Sequence, residues 1–220
     1  MFKAFTLALA TLTLTVPASA ESITLDQAVN GLQGTYEKVT DFKATFKQVV
    51  QRKHLPRPLK KQGSVYFKKP GMMRWDYAQP DRLYYISDGE TLWSYQPEDK
   101  LVHKLRVKES ELYSTLKFLF GQGDVRSEFK VRLGEAQEGG VALVLTPKVN
   151  QSNYKTLTLH LDPKTWEIRE TVLIDPLDNV SRVTFIDPSY DTLKAEGFKF
   201  TPPKGVRVED LQDMRGEQSP

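Results

Sequence analysis

The chain has no cysteine among its 220 residues. That excludes disulfides, zinc–thiolate sites and cysteine nucleophiles together. It has three histidines, His54, His103 and His160, far apart and without metal-ligand spacing. There is no G-x-S-x-G, no phosphate-binding loop and no dinucleotide fingerprint. Acidic residues are plentiful, but most stand in turns, where Asp serves the local backbone. The residues therefore do not point to an enzyme. The formal charge is only +3, too mild for nucleic acid, which asks for basic residues clustered on one face. The one basic cluster is Arg52 to Lys61, RKHLPRPLKK. Its prolines predict an exposed loop, and a solvated loop is a simpler reading than a docking patch.

Long hydrophobic runs are also scarce. The first, Phe5 to Val16, is too short to span a bilayer. With Lys3 before it and Ala18-Ser19-Ala20 after it, it predicts a secretory leader cut after Ala20. Residues 21–220 then form one domain, with no Cys to carry a lipid and no later run able to cross a membrane. The expected product is exported and soluble.

What is abundant is alternation. From Gly63 to Pro97 the chain reads GSVYFKKPGMMRWDYAQPDRLYYISDGETLWSYQP. Apolar runs are cut by turn chemistry at Lys69-Pro70-Gly71, Gln79-Pro80-Asp81 and Asp88-Gly89, the pattern of short antiparallel strands. Every second residue of a strand shares a face. Phe67, Met73, Trp75 and Tyr77 can therefore line one broad aromatic surface, with Val65 beside them. Taken alone, Trp75, Tyr77, Trp93 and Tyr95 read more simply as core than as a ligand surface. Asp41 to Gln51 also alternates, with Phe42, Ala44, Phe46, Gln48 and Val50 on one face.

Two stretches have helical spacing instead. In Thr24–Val39, Leu25, Ala28, Val29, Leu32, Tyr36 and Val39 recur at helical spacing, and Thr24 with Gln27 fits a capping box. Gly31 and Gly34 weaken that helix. Glu109–Phe120 carries Leu112, Leu116, Leu119 and Phe120 on one stripe, stopped by Gly121. After it come strand candidates at Glu128–Leu133, Val141–Thr146, Lys155–Leu161, Trp166–Ile174 and Val180–Ile186, joined by Gly-Gly, Asp-Pro and Asp-Asn turns. The expected fold is mainly β, a single antiparallel sheet of about ten to eleven strands that curls or closes.

Several motifs together resemble the outer-membrane lipoprotein carrier family, LolA. They are Val39–Gln48 (VTDFKATFKQ), Gly63–Tyr77 (GSVYFKKPGMMRWDY), Gln79-Pro80, Ser87–Pro97 (SDGETLWSYQP), Val144–Lys148 (VLTPK) and Phe200–Asp210 (FTPPKGVRVED). The resemblance implies an incomplete antiparallel β-barrel with a lid of helices over a hydrophobic cavity. It implies a monomeric periplasmic chaperone without cofactor, metal or catalysis. Such a protein takes triacylated lipoproteins from an inner-membrane lipoprotein-releasing ABC transporter to an outer-membrane lipoprotein receptor. Carried onto this chain, it assigns Phe42, Phe46, Val65, Phe67, Met73, Trp75 and Tyr77 to the lipid-binding cavity. Leu112, Leu116 and Leu119 become the lid helix. Lys69 stands where the family commonly has the Arg that ties the lid down, a departure from the pattern. A lipid- or lipoprotein-sensing module of the same fold, without transport, is the alternative.

Overall fold

The structure is a computed structural model that describes residues 23–107, 124–137, 139–149 and 154–211. The predicted leader Met1–Ala20 and the predicted helix with Leu112, Leu116 and Leu119 lie outside the described residues.

Helix α1 spans Leu25–Lys38. The predicted capping box forms: Thr24 Oγ1 accepts from the Gln27 N–H at 3.2 Å, and Gln27 Oε1 accepts from the Thr24 N–H at 2.8 Å. Two of the otherwise orphaned N–H groups at the helix start are thus satisfied. The helix buries Ala28, Val29, Leu32 and Tyr36, the face that the spacing predicts. Gly31, costly to the helix by propensity, is explained by its neighbour. A Cβ there would lie 2.3 Å from the Trp166 indole, so only glycine lets the ring lie against the helix.

The strands are β1 (Asp41–Gln51), β2 (Leu59–Lys68), β3 (Met72–Gln79), β4 (Leu83–Ser87), β5 (Thr91–Gln96) and β6 (Leu101–Arg106), then β7 (Phe129–Leu133), β8 (Val141–Pro147), β9 (Thr156–Leu161), β10 (Ile168–Ile174), β11 (Val180–Ser189) and β12 (Arg207–Asp210). They form one open sheet in the order β12-β6-β5-β4-β3-β2-β1-β11-β10-β9-β8-β7. The count is twelve, above the ten to eleven expected. The extra strand is β12, which pairs parallel with β6 while all the other ladders are antiparallel. Its four residues, RVED, have no apolar alternation to announce them. Between β11 and β12 the chain holds a 3-10 turn, Ala195–Phe198, with irregular segments on both sides.

The basic cluster is shorter as a loop than expected. Strand β2 begins at Leu59, so Lys60 and Lys61 belong to the ladder opposite Val49 and Gln48. The remaining loop is tied to the β10–β11 turn. The Lys53 N–H donates to Asn179 Oδ1 at 3.1 Å, and Lys53 Nζ reaches Asp178 at 2.8 Å.

The β2–β3 and β4–β5 turns lie against each other. Gly89 has φ +101°, and a Cβ on it would sit 3.2 Å from the Pro70 carbonyl oxygen. Both the left-handed backbone and the close approach call for glycine.

The inner face of the sheet carries two apolar clusters. The first lies under α1: its Leu32, Val29 and Ala28 pack with Leu143, Leu145, Leu157, Leu159 and Leu161 of β8 and β9. The second lies on β1, β2, β3, β5 and β11. Cross-strand register places them on the same side, through Phe46 opposite Phe185 and Thr171 opposite both Val183 and Leu159.

Candidate functional site

The second cluster contains the predicted surface. Phe42, Phe46, Val65, Phe67, Met73 and Trp75 are all buried in it, and Tyr77 packs against it. Register explains why. Phe42 faces Phe67, which faces Met73; Ala44 faces Val65, which faces Trp75; Phe46 faces Gly63, which faces Tyr77. Directly opposed residues share a face, so the seven form successive rungs down β1, β2 and β3. Val183 and Phe185 of β11 and Leu92 of β5 extend it. Those three were missed, although Val183 and Phe185 alternate within a strand that the sequence marks. Trp93 and Tyr95 point to the other face, where both pack on Phe200.

The rings interlock. Phe46 lies 5.0 Å from both Trp75 and Tyr77, edge to face, and Phe42 stacks on Phe67 at 5.9 Å. Such pairs each contribute about 0.5–1.5 kcal/mol beyond their buried area. Met73, 1% exposed, brings an unbranched side chain that accommodates partners of different shape. At Gly63 the strands come so close that a Cβ would fall 2.0 Å from the Asp76 carbonyl oxygen, which leaves room for Phe46 and Tyr77 on that rung.

Each end of the surface has an opening. At one end a small pocket, partly open to solvent, is lined by Tyr36, Val39, Phe42, Phe67, Lys69 and Phe185. At the other an open cleft is lined by Leu59, Lys61, Tyr77, Pro80, Arg82 and Glu98. Lys61 Nζ lies 5.3 Å over the Tyr77 ring, an exposed cation–π contact. Burial pushes the Tyr77 phenol well above its ordinary value, and neighbouring Tyr85 adds to the effect. Tyr77 therefore stays neutral at any physiological pH.

Lys69 stands over the first pocket. Its Nζ donates to the main-chain carbonyl oxygen of Tyr36 and, at 3.2 Å, to that of Glu37. These are carbonyls of the last turn of α1, where a helix leaves acceptors unpaired and its dipole favours a cation. Lys69 thus links the β2–β3 turn to the C-terminal end of α1. Burial lowers its pKa, and Glu37 acts in the opposite direction. Its own N–H donates to the Thr40 carbonyl oxygen at 2.8 Å. Arg74, close by in sequence, does not share this task. It faces the outer side, pairs with Asp76 at 2.8 Å and donates to the Gly197 carbonyl oxygen at 3.1 Å.

The body of α1 is held elsewhere. The Tyr36 hydroxyl accepts from the Ile168 N–H at 3.1 Å, Thr35 Oγ1 donates to the Thr165 carbonyl oxygen at 3.1 Å, and Arg126 reaches Asp26 at 2.6 Å. Burial pushes the Tyr36 phenol up to about 12. Among the described residues, no group of three or more His, Asp or Glu is placed to hold a metal ion. No described helix is long and apolar enough to cross a membrane.

Residues 37–201 match the family described as outer membrane lipoprotein carrier protein LolA. The chain belongs to the LolA family. An outer-membrane lipoprotein carrier protein of Nitrosomonas europaea is 30% identical over 205 residues, covering 93% of this chain and 96% of that one. One from Salmonella paratyphi A is 28% identical over 191 residues, covering 87% and 91%. Among solved structures, an uncharacterized conserved protein from Thermus thermophilus superposes with a TM-score of 0.53 at 12% identity, covering 84% of this chain and 98% of that chain. That likeness concerns the fold alone.

Proposed function

We propose that this LolA-family chain is a non-enzymatic periplasmic carrier that shelters the acyl chains of triacylated lipoproteins. In this reading it receives them from an inner-membrane ABC transporter and yields them to an outer-membrane receptor. The observation that carries the reading is the aromatic and methionine surface on β1, β2 and β3, with a pocket at its edge beneath the Lys69 tie to α1. Acyl chains in water cost about 0.8 kcal/mol per exposed CH₂. A carrier must cover them and still release them, which suits apolar packing of low specificity. Lys69 acts as the latch. With the tie made, the end of α1 is held over Phe42 and Phe67; with it broken, the pocket widens for acyl chains. Remaking the tie favours release.

The test is to isolate the exported protein and identify co-purifying lipoproteins by mass spectrometry, then to offer it membranes containing the transporter. Acylated lipoproteins are expected in the purified fraction and released from the membranes. Finding none in either experiment overturns the carrier reading.

A further inference from the structure

Three buried side-chain polar atoms among the described residues have no hydrogen-bond partner: Gln48 Oε1, Trp75 Nε1 and His160 Nδ1. His160 belongs to the outer face, beside Glu170. Gln48 lies beyond the Phe46 rung, and its amide is engaged through Nε2, which donates to Ser181 Oγ at 2.8 Å. Trp75 alone of the three lies inside the aromatic cluster. It is 6% exposed and ringed by Phe46 at 5.0 Å, Phe67 at 5.9 Å, and Tyr77 and Phe185 at 6.4 Å. Aromatic rings are weak acceptors at best. Native interiors rarely leave a donor unsatisfied, and each such case asks for an explanation. A phenylalanine would fill much of this space without that cost.

Resting on the carrier reading, we propose that the Trp75 indole N–H is the polar recognition point of the surface and donates to the ester carbonyl of an acyl chain. Indole nitrogen donates and never accepts, so it selects ligands that bring an acceptor into an apolar setting. An ester carbonyl does so without bringing a donor that would itself need a partner. The rungs supply an orientation. Trp75 lies between the Phe42–Phe67–Met73 rung and the Phe46–Gly63–Tyr77 rung. With the carbonyl at Trp75, the hydrocarbon extends toward Phe42, Phe67 and the pocket at Lys69. The polar head lies toward Gln48, Lys61 and the open cleft.

The experiment compares a peptide bearing a diacylglycerol group with its twin in which both esters are ethers, each titrated into the purified protein. One neutral hydrogen bond predicts that the wild type binds the ester about fivefold more tightly. In Trp75→Phe the ester-to-ether ratio falls to about one, whatever loss the two ligands share. In ¹⁵N-labelled wild type, the Trp75 indole N–H resonance moves downfield with the ester and not with the ether. This second readout needs no variant. Equal binding of the two peptides by the wild type overturns the inference and leaves the carrier reading intact. So does a ratio that survives in Trp75→Phe. Binding of neither peptide by the wild type overturns both.

Discussion

The two clusters on the inner face differ in composition and in finish. The one beneath α1 is mostly aliphatic, with Tyr36, Phe129 and Tyr154 as its buried rings: Leu32, Leu143, Leu145, Leu157, Leu159 and Leu161 are each no more than 2% exposed. Each such burial contributes about 1.5–3 kcal/mol, and polar links at both ends of α1 hold the arrangement. The one on β1, β2 and β3 is richer in rings, with Phe42, Phe46, Phe67 and Trp75 beside Met73 and smaller aliphatic residues, is edged by a pocket, and contains an indole N–H without a partner. On the proposed reading, one half of the sheet is permanent core and the other is provisional packing that a ligand completes. Lys69 stands where the two meet, since the α1 carbonyls it holds belong to the first half and the pocket below to the second.

The largest expected effect comes from placing one carboxylate in each half. An unpaired buried charge is costly. Leu159→Glu should therefore destabilise by about 4 kcal/mol or more and prevent folding. Met73→Glu should still give a folded protein, because the provisional half can open to water, but one that loads no lipoprotein. Circular dichroism and urea melts beside a loading assay check this. Equal stability losses would break the contrast.

A smaller loss is expected from Gly31→Ala. Alanine improves helix propensity by up to about 1 kcal/mol, but its methyl collides with Trp166, and overpacking costs about 1–3 kcal/mol. The net change in a urea melt should be destabilising, with loading unaffected. A more stable Gly31→Ala would show that α1 is not seated firmly on the β9–β10 turn.

At the junction, Lys69→Leu removes the links to the Tyr36 and Glu37 carbonyls. Charged hydrogen bonds are worth about 1.5–3 kcal/mol when sheltered. Lys69 is only partly so, and about 1 kcal/mol is expected in the melt. The protein should load and then stall at handover. Lys69→Arg should deliver at least as well as wild type, since a guanidinium offers more donors on a planar fork. Wild-type delivery by both variants would show that Lys69 is no latch.

The smallest effect is a pH dependence close to Lys69. Burial pushes the Asp41 carboxyl up, but the Lys68 ammonium at 2.8 Å and the N–H of Leu193, followed by Thr40, outweigh it and hold the pKa below the usual 3.8. A carboxyl held low in the folded state binds fewer protons there than in the unfolded chain. Its stabilisation is complete above pH 3.8 and is lost as pH falls through the lowered value. Asp41→Asn should remove that part of the acid slope and leave stability nearly flat near neutrality. A variant whose acid slope matches wild type would remove Asp41 from the account.

Much of this architecture was legible. Alternation marked β1 to its end residues, and Thr24 with Gln27 marked the start of α1. Period two marked which residues share a face within each of β1, β2 and β3; that the seven meet on one side follows from the register between those strands. What escaped depended on tertiary pairing. Strand β12 exists because β6 offers it an edge, not because RVED favours a strand. Spacing showed that α1 has an apolar face but not that β8 and β9 receive it. Trp93 and Tyr95 alternate as cleanly as Trp75 and Tyr77, and only the β3–β4–β5 register turns them outward. The unpaired N–H of Trp75 is a property of everything around it, so no motif announces it.

The most direct test of the division between the two halves is photo-crosslinking with a lipoprotein whose acyl chains carry a photoreactive group. After loading, irradiation and digestion, label is expected on peptides from β1, β2 and β3, centred on Phe42, Phe67 and Met73. None is expected on the β8 and β9 peptides beneath α1. Label spread equally over both halves, or concentrated on Leu143 to Leu159, would contradict that division.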